Sequence, residues 1–160
     1  MLKKVTRTGF SRAIIVVCFF LTPFAVNAQA TATQFPAGSN VRPPITKADL
    51  QIVKRARELL NSESKWNRAD NRVCPVEAKT VSLYCALQMA TTEVSGKAEH
   101  RGAALQEARF VIDEIAADRK YEHRLMNYNN DPTTTFGDIQ EVLRITESLI
   151  TLRLKTNGAK

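Results

Sequence analysis

Between residues 46 and 154 the apolar side chains recur at intervals of three and four, and no segment alternates as a half-buried strand would. In the first such stretch Leu50, Val53, Ala56 and Leu60 share a face with Ile52 and Leu59 beside them, while Lys54, Arg55 and Arg57 fall outside. Thr46 followed by Asp49 makes a capping-box start and Ile45 is placed to staple onto Leu50, so the spacing predicts a helix over 47–61. Val81, Cys85 and Met89, flanked by Leu83, Ala86, Leu87 and Ala90, predict a second helix that begins between Val76 and Thr80 and frays at Ser95-Gly96. The third covers 98–118 on Ala104, Leu105, Ala108, Val111, Ile112 and Ile115, with Glu99, Glu107, Arg109 and Asp113 outside the stripe. A short helical turn over 122–127 presents Leu125 and Met126, and a fourth helix runs from Thr135 to about Leu154 on Ile139, Val142, Leu143, Ile145, Leu149 and Ile150. The expected fold is all-α: a compact bundle of four main helices plus the short turn, one domain over 46–156, with a disordered tail at 157–160.

The amino-terminal end reads differently. Lys3, Lys4, Arg7 and Arg12 precede an apolar run from Ala13 to Val26, and Val26-Asn27-Ala28 offers small residues to a peptidase, so residues 1–28 are expected to be a signal peptide, cut after Ala28 or Ala30. The run of 14 residues is short of the roughly 20 that span a bilayer, and Pro23 interrupts it, so no stable membrane anchor is expected after cleavage. Residues 29–45, rich in Thr, Ala and Pro without an apolar period, are expected to form a flexible, disordered leader. The chain is thus expected to be exported, to the periplasm or the medium.

Cleavage also changes the charge. The whole chain carries +7, but the first 28 residues hold four basic and no acidic side chains, which leaves 19 basic against 16 acidic, or +3. That balance lacks the dense basic stripe of a nucleic-acid binder, so no nucleic-acid partner is expected.

Two loops carry the polar chemistry. Residues 62–75 are polar apart from Trp66 and Val73, and form a long loop whose Trp should fold back onto the core. The stretch N-Y-N-N-D-P-T-T-T-F-G-D, Asn127 to Asp138, crowds amides, acids and hydroxyls between two apolar segments. The order Trp66, Arg68-Ala69-Asp70, Cys85-Ala86-Leu87, Tyr128-Asn129-Asn130, Thr135 and Asp138 resembles a bacterial family of small helical proteins known only as a domain of unknown function. In that pattern Tyr128 stands for Trp, Asn130 for Asp and Gln88 for Gly; the resemblance implies the helical fold and no established activity.

Three arrangements fit the Asn-rich stretch. Thr135 with Asp138 caps the last helix while Asn129, Asn130 and Asp131 form a tight turn before Pro132. Alternatively, Asn127, Asn129, Asp131, Thr133, Thr135 and Asp138 stand at the ligand positions of an EF-hand, but Pro132 occupies the place that requires glycine, so no metal and no cofactor is expected. A third arrangement gathers Trp66, Arg68, Asp70, Tyr128, Asn129 and Asn130 into a pocket for a small polar ligand, its bland counterpart being Arg68 and Asp70 tying the two loops together as structure.

Export makes Cys74 and Cys85 a candidate disulfide. A helix starting directly after Cys74 would separate them by roughly 16 Å of rise, so a bridge requires residues 74–79 to fold back as loop; otherwise Cys85 is a small core residue. The catalytic inventory is poor: His100 and His123 lie in charged surroundings without metal-ligand spacing, and no phosphate-cradling glycine loop is present. The expected function is a binding or interaction module, without catalysis, for an unknown protein or small polar ligand, with homodimerisation suggested by Ile150 and Leu152 exceeding one stripe. The alternative is a small enzyme using the loop carboxylates Asp70 and Asp131.

Overall fold

The computed structural model describes residues 41–157; the stretch expected to be a signal peptide, most of the expected leader and the last three residues lie outside the described residues. The described chain is helical, with α1 over Lys47–Leu59, a 3-10 turn over Glu63–Lys65, α2 over Leu83–Ser95, α3 over Ala103–Ile115, α4 over Arg124–Asn130 and α5 over Phe136–Asn157. No strand forms among the described residues; Trp66 and Val81 make one isolated parallel bridge. No described helix is long and apolar enough to cross a membrane.

The first capping box forms as its residues require. The Thr46 backbone N–H donates to Asp49 Oδ2 at 2.8 Å and the Asp49 N–H donates back to Thr46 Oγ1 at 3.4 Å. Asp49 Oδ1 also accepts from the Ala104 N–H at 3.1 Å, so one carboxylate caps α1 and satisfies a donor in the first turn of α3. Behind it Ile52, Val53, Ala56 and Leu60 are buried, as their spacing predicts.

Helix α2 lies at the centre, with every residue from Val81 to Gln88 buried. It begins at Leu83 instead of between Val76 and Thr80, for two reasons. Val81 is held extended by Val81 N–H to Lys65 O and Asn67 N–H to Val81 O, and Ser82 Oγ then caps the helix by accepting from the Cys85 N–H at 3.1 Å. Gly96 ends it at φ 76°, the left-handed conformation a helix terminus commonly uses. The late start leaves residues 74–79 as loop, and Cys74 and Cys85 are joined with their Cα atoms 5.2 Å apart.

Three further expectations change. Helix α3 is shorter than 98–118, starting at Ala103 where Asp49 meets its first turn. Glu107, expected outside the apolar stripe, is fully buried, because Arg42 Nη1 reaches it at 2.7 Å and Arg153 grips its other oxygen. Arg42, Pro43 and Ile45 come from the end of the stretch read as leader; Pro43 and Ile45 are buried, and Pro43 O accepts from Arg153 Nη2 at 2.6 Å. On α5, Ile150 is fully buried and only Leu152 is exposed, so the two residues do not form one exposed seam.

Helix α4 extends further than the turn over 122–127, taking in Asn129 and Asn130, which therefore sit in its last turn and not in a tight turn. Its start is set by Asn127 Oδ1 accepting from the His123 N–H at 2.7 Å. The tight turn comes one residue later, with Thr134 N–H to Asp131 O at 3.0 Å. Thr135 and Asp138 then cap α5 reciprocally, at 2.8 Å for Thr135 N–H to Asp138 Oδ2 and 3.2 Å for the return bond.

Candidate functional site: a loop clamp beside a basic cleft

The long loop is built from repeated short turns closed by its own side chains. Asn67 Oδ1 accepts from the Ala69 N–H at 2.9 Å, Asp70 Oδ1 from the Arg72 N–H at 2.7 Å, and Asn71 Oδ1 from the Val73 N–H at 3.0 Å. These turns aim the loop at the end of α4.

Trp66, Asp70, Asn129 and Asn130 meet there, joined by Arg68, and bond chiefly between the long loop and the end of α4, with Asp70 Oδ2 buried and without a hydrogen-bond partner among the described residues. Asn129 is fully buried; its Oδ1 accepts from Trp66 Nε1 at 2.8 Å and from the Leu83 N–H at 3.0 Å, and its Nδ2 donates to Asn67 O at 3.0 Å and Arg68 O at 3.2 Å. The side-chain amide of Asn130 pairs with the backbone of Asp70, accepting its N–H at 2.7 Å and donating to its C=O at 2.8 Å. Arg68 stacks over the Trp66 ring at 5.3 Å and donates to Asp131 O and Pro132 O at 3.1 and 2.6 Å, so Arg68 and Asp70 each tie the long loop to the Asn-rich segment. Tyr128 is buried edge-on to Tyr121 at 6.1 Å, and burial, with the nearby Asp138 charge, pushes its phenol up to about 12.

Asp131 is fixed in another way. Thr133 donates to it from its hydroxyl at 2.6 Å and its N–H at 2.8 Å, Tyr121 from its hydroxyl at 2.7 Å, and Arg119 lies 3.2 Å away. These donors hold its carboxyl far below the usual carboxylate range, which suits an anchor and not a proton donor.

Beside this clamp opens a cleft of about 750 Å³ whose lining was not singled out by the sequence. Arg72 from the long loop, His100 and Arg101 before α3, Arg109 within it, and His123 and Arg124 at the start of α4 all line it, with Glu122 the one carboxylate among the described residues of its wall. Tyr84, in the first turn of α2, hydrogen-bonds His100 Nδ1 through its hydroxyl, and burial raises its phenol above the ordinary value. Arg124 Nε is 3.1 Å from Asp113, and Glu122 is 3.9 Å from His123.

Arg109 is the unusual group. It is half-buried, Nη1 donates to Gln106 Oε1 at 2.7 Å and Nη2 to His100 O at 2.9 Å, and no carboxylate of the described residues pairs with it. Burial, then the charge of Arg124, pushes its guanidinium down to about 10. The signal that points to this wall is arginine, and not lysine, at 72, 101, 109 and 124, spread over loop and helices and so invisible as a run.

The clamp and the cleft share their supports. Asp70, held by Asn130, sets the backbone of Arg72; the Cys74–Cys85 bridge ties the next residues to the turn of α2 that carries Tyr84; and α4 has Arg124 at one end and Asn129-Asn130 at the other. No curated protein and no solved structure matched the chain. The landmarks Trp66, Cys85-Ala86-Leu87 and Tyr128-Asn129-Asn130 do fall within one continuous match over residues 44–149, and by it the chain belongs to a family of unknown function, DUF6197.

Proposed function

We propose that the protein is an exported, non-catalytic binding module, a helical bundle that takes a small polar ligand in the cleft between the long loop, the start of α3 and the start of α4. The observation that carries this is Arg109, a half-buried guanidinium on the wall of an open cleft whose hydrogen-bond partners among the described residues are neutral. A cation placed so is stabilised when a ligand brings opposite charge and hydrogen-bond acceptors to it. The residues Trp66, Arg68, Asp70, Tyr128, Asn129 and Asn130 serve in this proposal as the frame that holds Arg72 and Arg124 in place. Catalysis by Asp70 and Asp131 is the less favoured proposal, because Asp131 is saturated by donors and Asp70 Oδ1 holds the backbone of Arg72.

The test is the intact mass of mature protein purified without reductant from an exporting host, recorded under native and then denaturing conditions. The expected result is an added mass that denaturation releases. A native mass equal to the chain, or to a clean multiple of it, together with no response of the cleft to added small anions would overturn the ligand proposal and leave a structural or partner-binding role.

A further inference from the structure

We propose that the cleft binds the phosphate group of a small phosphate monoester, with Arg72 and Arg109 as its two charge partners; this deepens the binding-module proposal and rests on it. Both guanidiniums line the cleft without an ion pair to a carboxylate of the described residues. Arg109 spends two N–H groups on neutral oxygens, Gln106 Oε1 and His100 O, which fix the plane of its fork while leaving its charge uncompensated. Arg72 has no carboxylate of the described residues within ion-pair distance, and its backbone sits at φ 61°, the one non-glycine residue among those described with positive φ. A left-handed arginine is sparsely populated, and here Asp70 Oδ1 holds it there through the Arg72 N–H at 2.7 Å. Arg124 is matched by Asp113 and forms the rim.

Two unmatched cations call for a ligand of charge near −2. They line the cleft from separate elements, the loop and α3, and a phosphate monoester brings about −1.5 to −2 of charge and three acceptor oxygens in one group, whereas a carboxylate brings a single charge and two oxygens. The volume of about 750 Å³ far exceeds one phosphate, and Leu125 and Met126 give part of the lining an apolar character that suits the organic half of an ester.

The experiment is an NMR titration of the oxidised, 15N-labelled mature protein in low-salt buffer free of phosphate, with phenyl phosphate, inorganic phosphate and succinate as separate probes. Both phosphates should shift the signals of Tyr84, His100 and Arg109, the ester more tightly, and Arg72→Gln and Arg109→Gln should each weaken phenyl phosphate about tenfold. Arg72→Gln alters an exposed side chain and keeps the same backbone preference, so it reads the contact even if Arg109→Gln fails to fold. Succinate acting as strongly as phenyl phosphate, no shift with either phosphate, or wild-type affinity in Arg72→Gln would each overturn the assignment. A native passenger without phosphorus would end the phosphate assignment and keep the binding module; no passenger and no response to any probe would end both.

Discussion

Trp66 Nε1 donates to Asn129 Oδ1 at 2.8 Å, and the same oxygen accepts from the Leu83 N–H at 3.0 Å. One buried amide therefore anchors the long loop, the start of α2 and the end of α4. Replacing Asn129 by Ala would leave two donors and two carbonyls without their partner, each orphan costing about 1–3 kcal/mol when it stays buried. We expect Asn129→Ala to lose at least about 2 kcal/mol in urea unfolding. Asn129→Asp keeps the acceptors but turns a carboxylate toward Asn67 O and Arg68 O, and should be no better. A loss below about 0.5 kcal/mol in either variant would mean that the clamp is held elsewhere.

Glu107 makes a second prediction. Its carboxylate is fully buried between Arg42 and Arg153, and cutting one partner out of such a group costs about 3–5 kcal/mol. Glu107→Ala removes the buried charge itself and leaves two part-exposed arginines that can turn to water, so it should cost less than that range, about 1–3 kcal/mol, by thermal or urea unfolding. Arg42→Ala, which leaves Arg153 in place, should cost less; equal stability of wild type and Glu107→Ala would show the triad to be without consequence.

The Cys74–Cys85 bridge closes a short ring, with a sequence separation of 11. For a loop of that size the chain-entropy estimate is about 3 kcal/mol. Replacing both cysteines by Ala should therefore lower stability by about that amount and broaden the signals of Arg72 and Tyr84. Unchanged unfolding midpoints with and without reductant would contradict this.

The pH dependence has a sign at each end. Asp131 is held ionised well below its ordinary range, so the stability it contributes is present above its unfolded pKa near 3.9 and lost as pH falls below about 4. Asp131→Asn should flatten that acid limb. Tyr121 and Tyr128 are pushed up to about 12, Tyr121 by burial and by its hydrogen bond to Asp131. Their contribution is complete below about 10 and lost as pH rises from there toward 12, so Tyr128→Phe should reduce the alkaline limb in stability measured by denaturant against pH.

Helix periodicity made much of the fold legible. Thr46 with Asp49, Thr135 with Asp138, and the buried stripes of α1 and α5 follow from spacing alone. What spacing does not carry is a partner from far along the chain. Glu107 reads as solvated until Arg42, 65 residues earlier, covers it. The start of α2 depends on Lys65 and Asn67 holding Val81 extended, and Asn130 looks like a turn residue because its true partner is the backbone of Asp70. The candidate site was missed for the same reason. Arg72, Arg109 and Arg124 share no local motif; only the fold puts them on one wall. The Asn-rich stretch drew notice because its chemistry is contiguous, and its asparagine amides at 129 and 130 bond the backbone of the long loop.

The covalent ring between residues 74 and 85 has one more consequence. Its two ends neighbour Arg72 and Tyr84, both on the wall of the cleft, so a bond that persists only where thiols are oxidised ties the backbone beside one to the backbone beside the other. With the bond reduced, the chain keeps the residues of the cleft without this tie between them. Under the binding proposal, reduction of this bond should weaken the hold of the cleft on its ligand, which makes affinity a reporter of redox conditions.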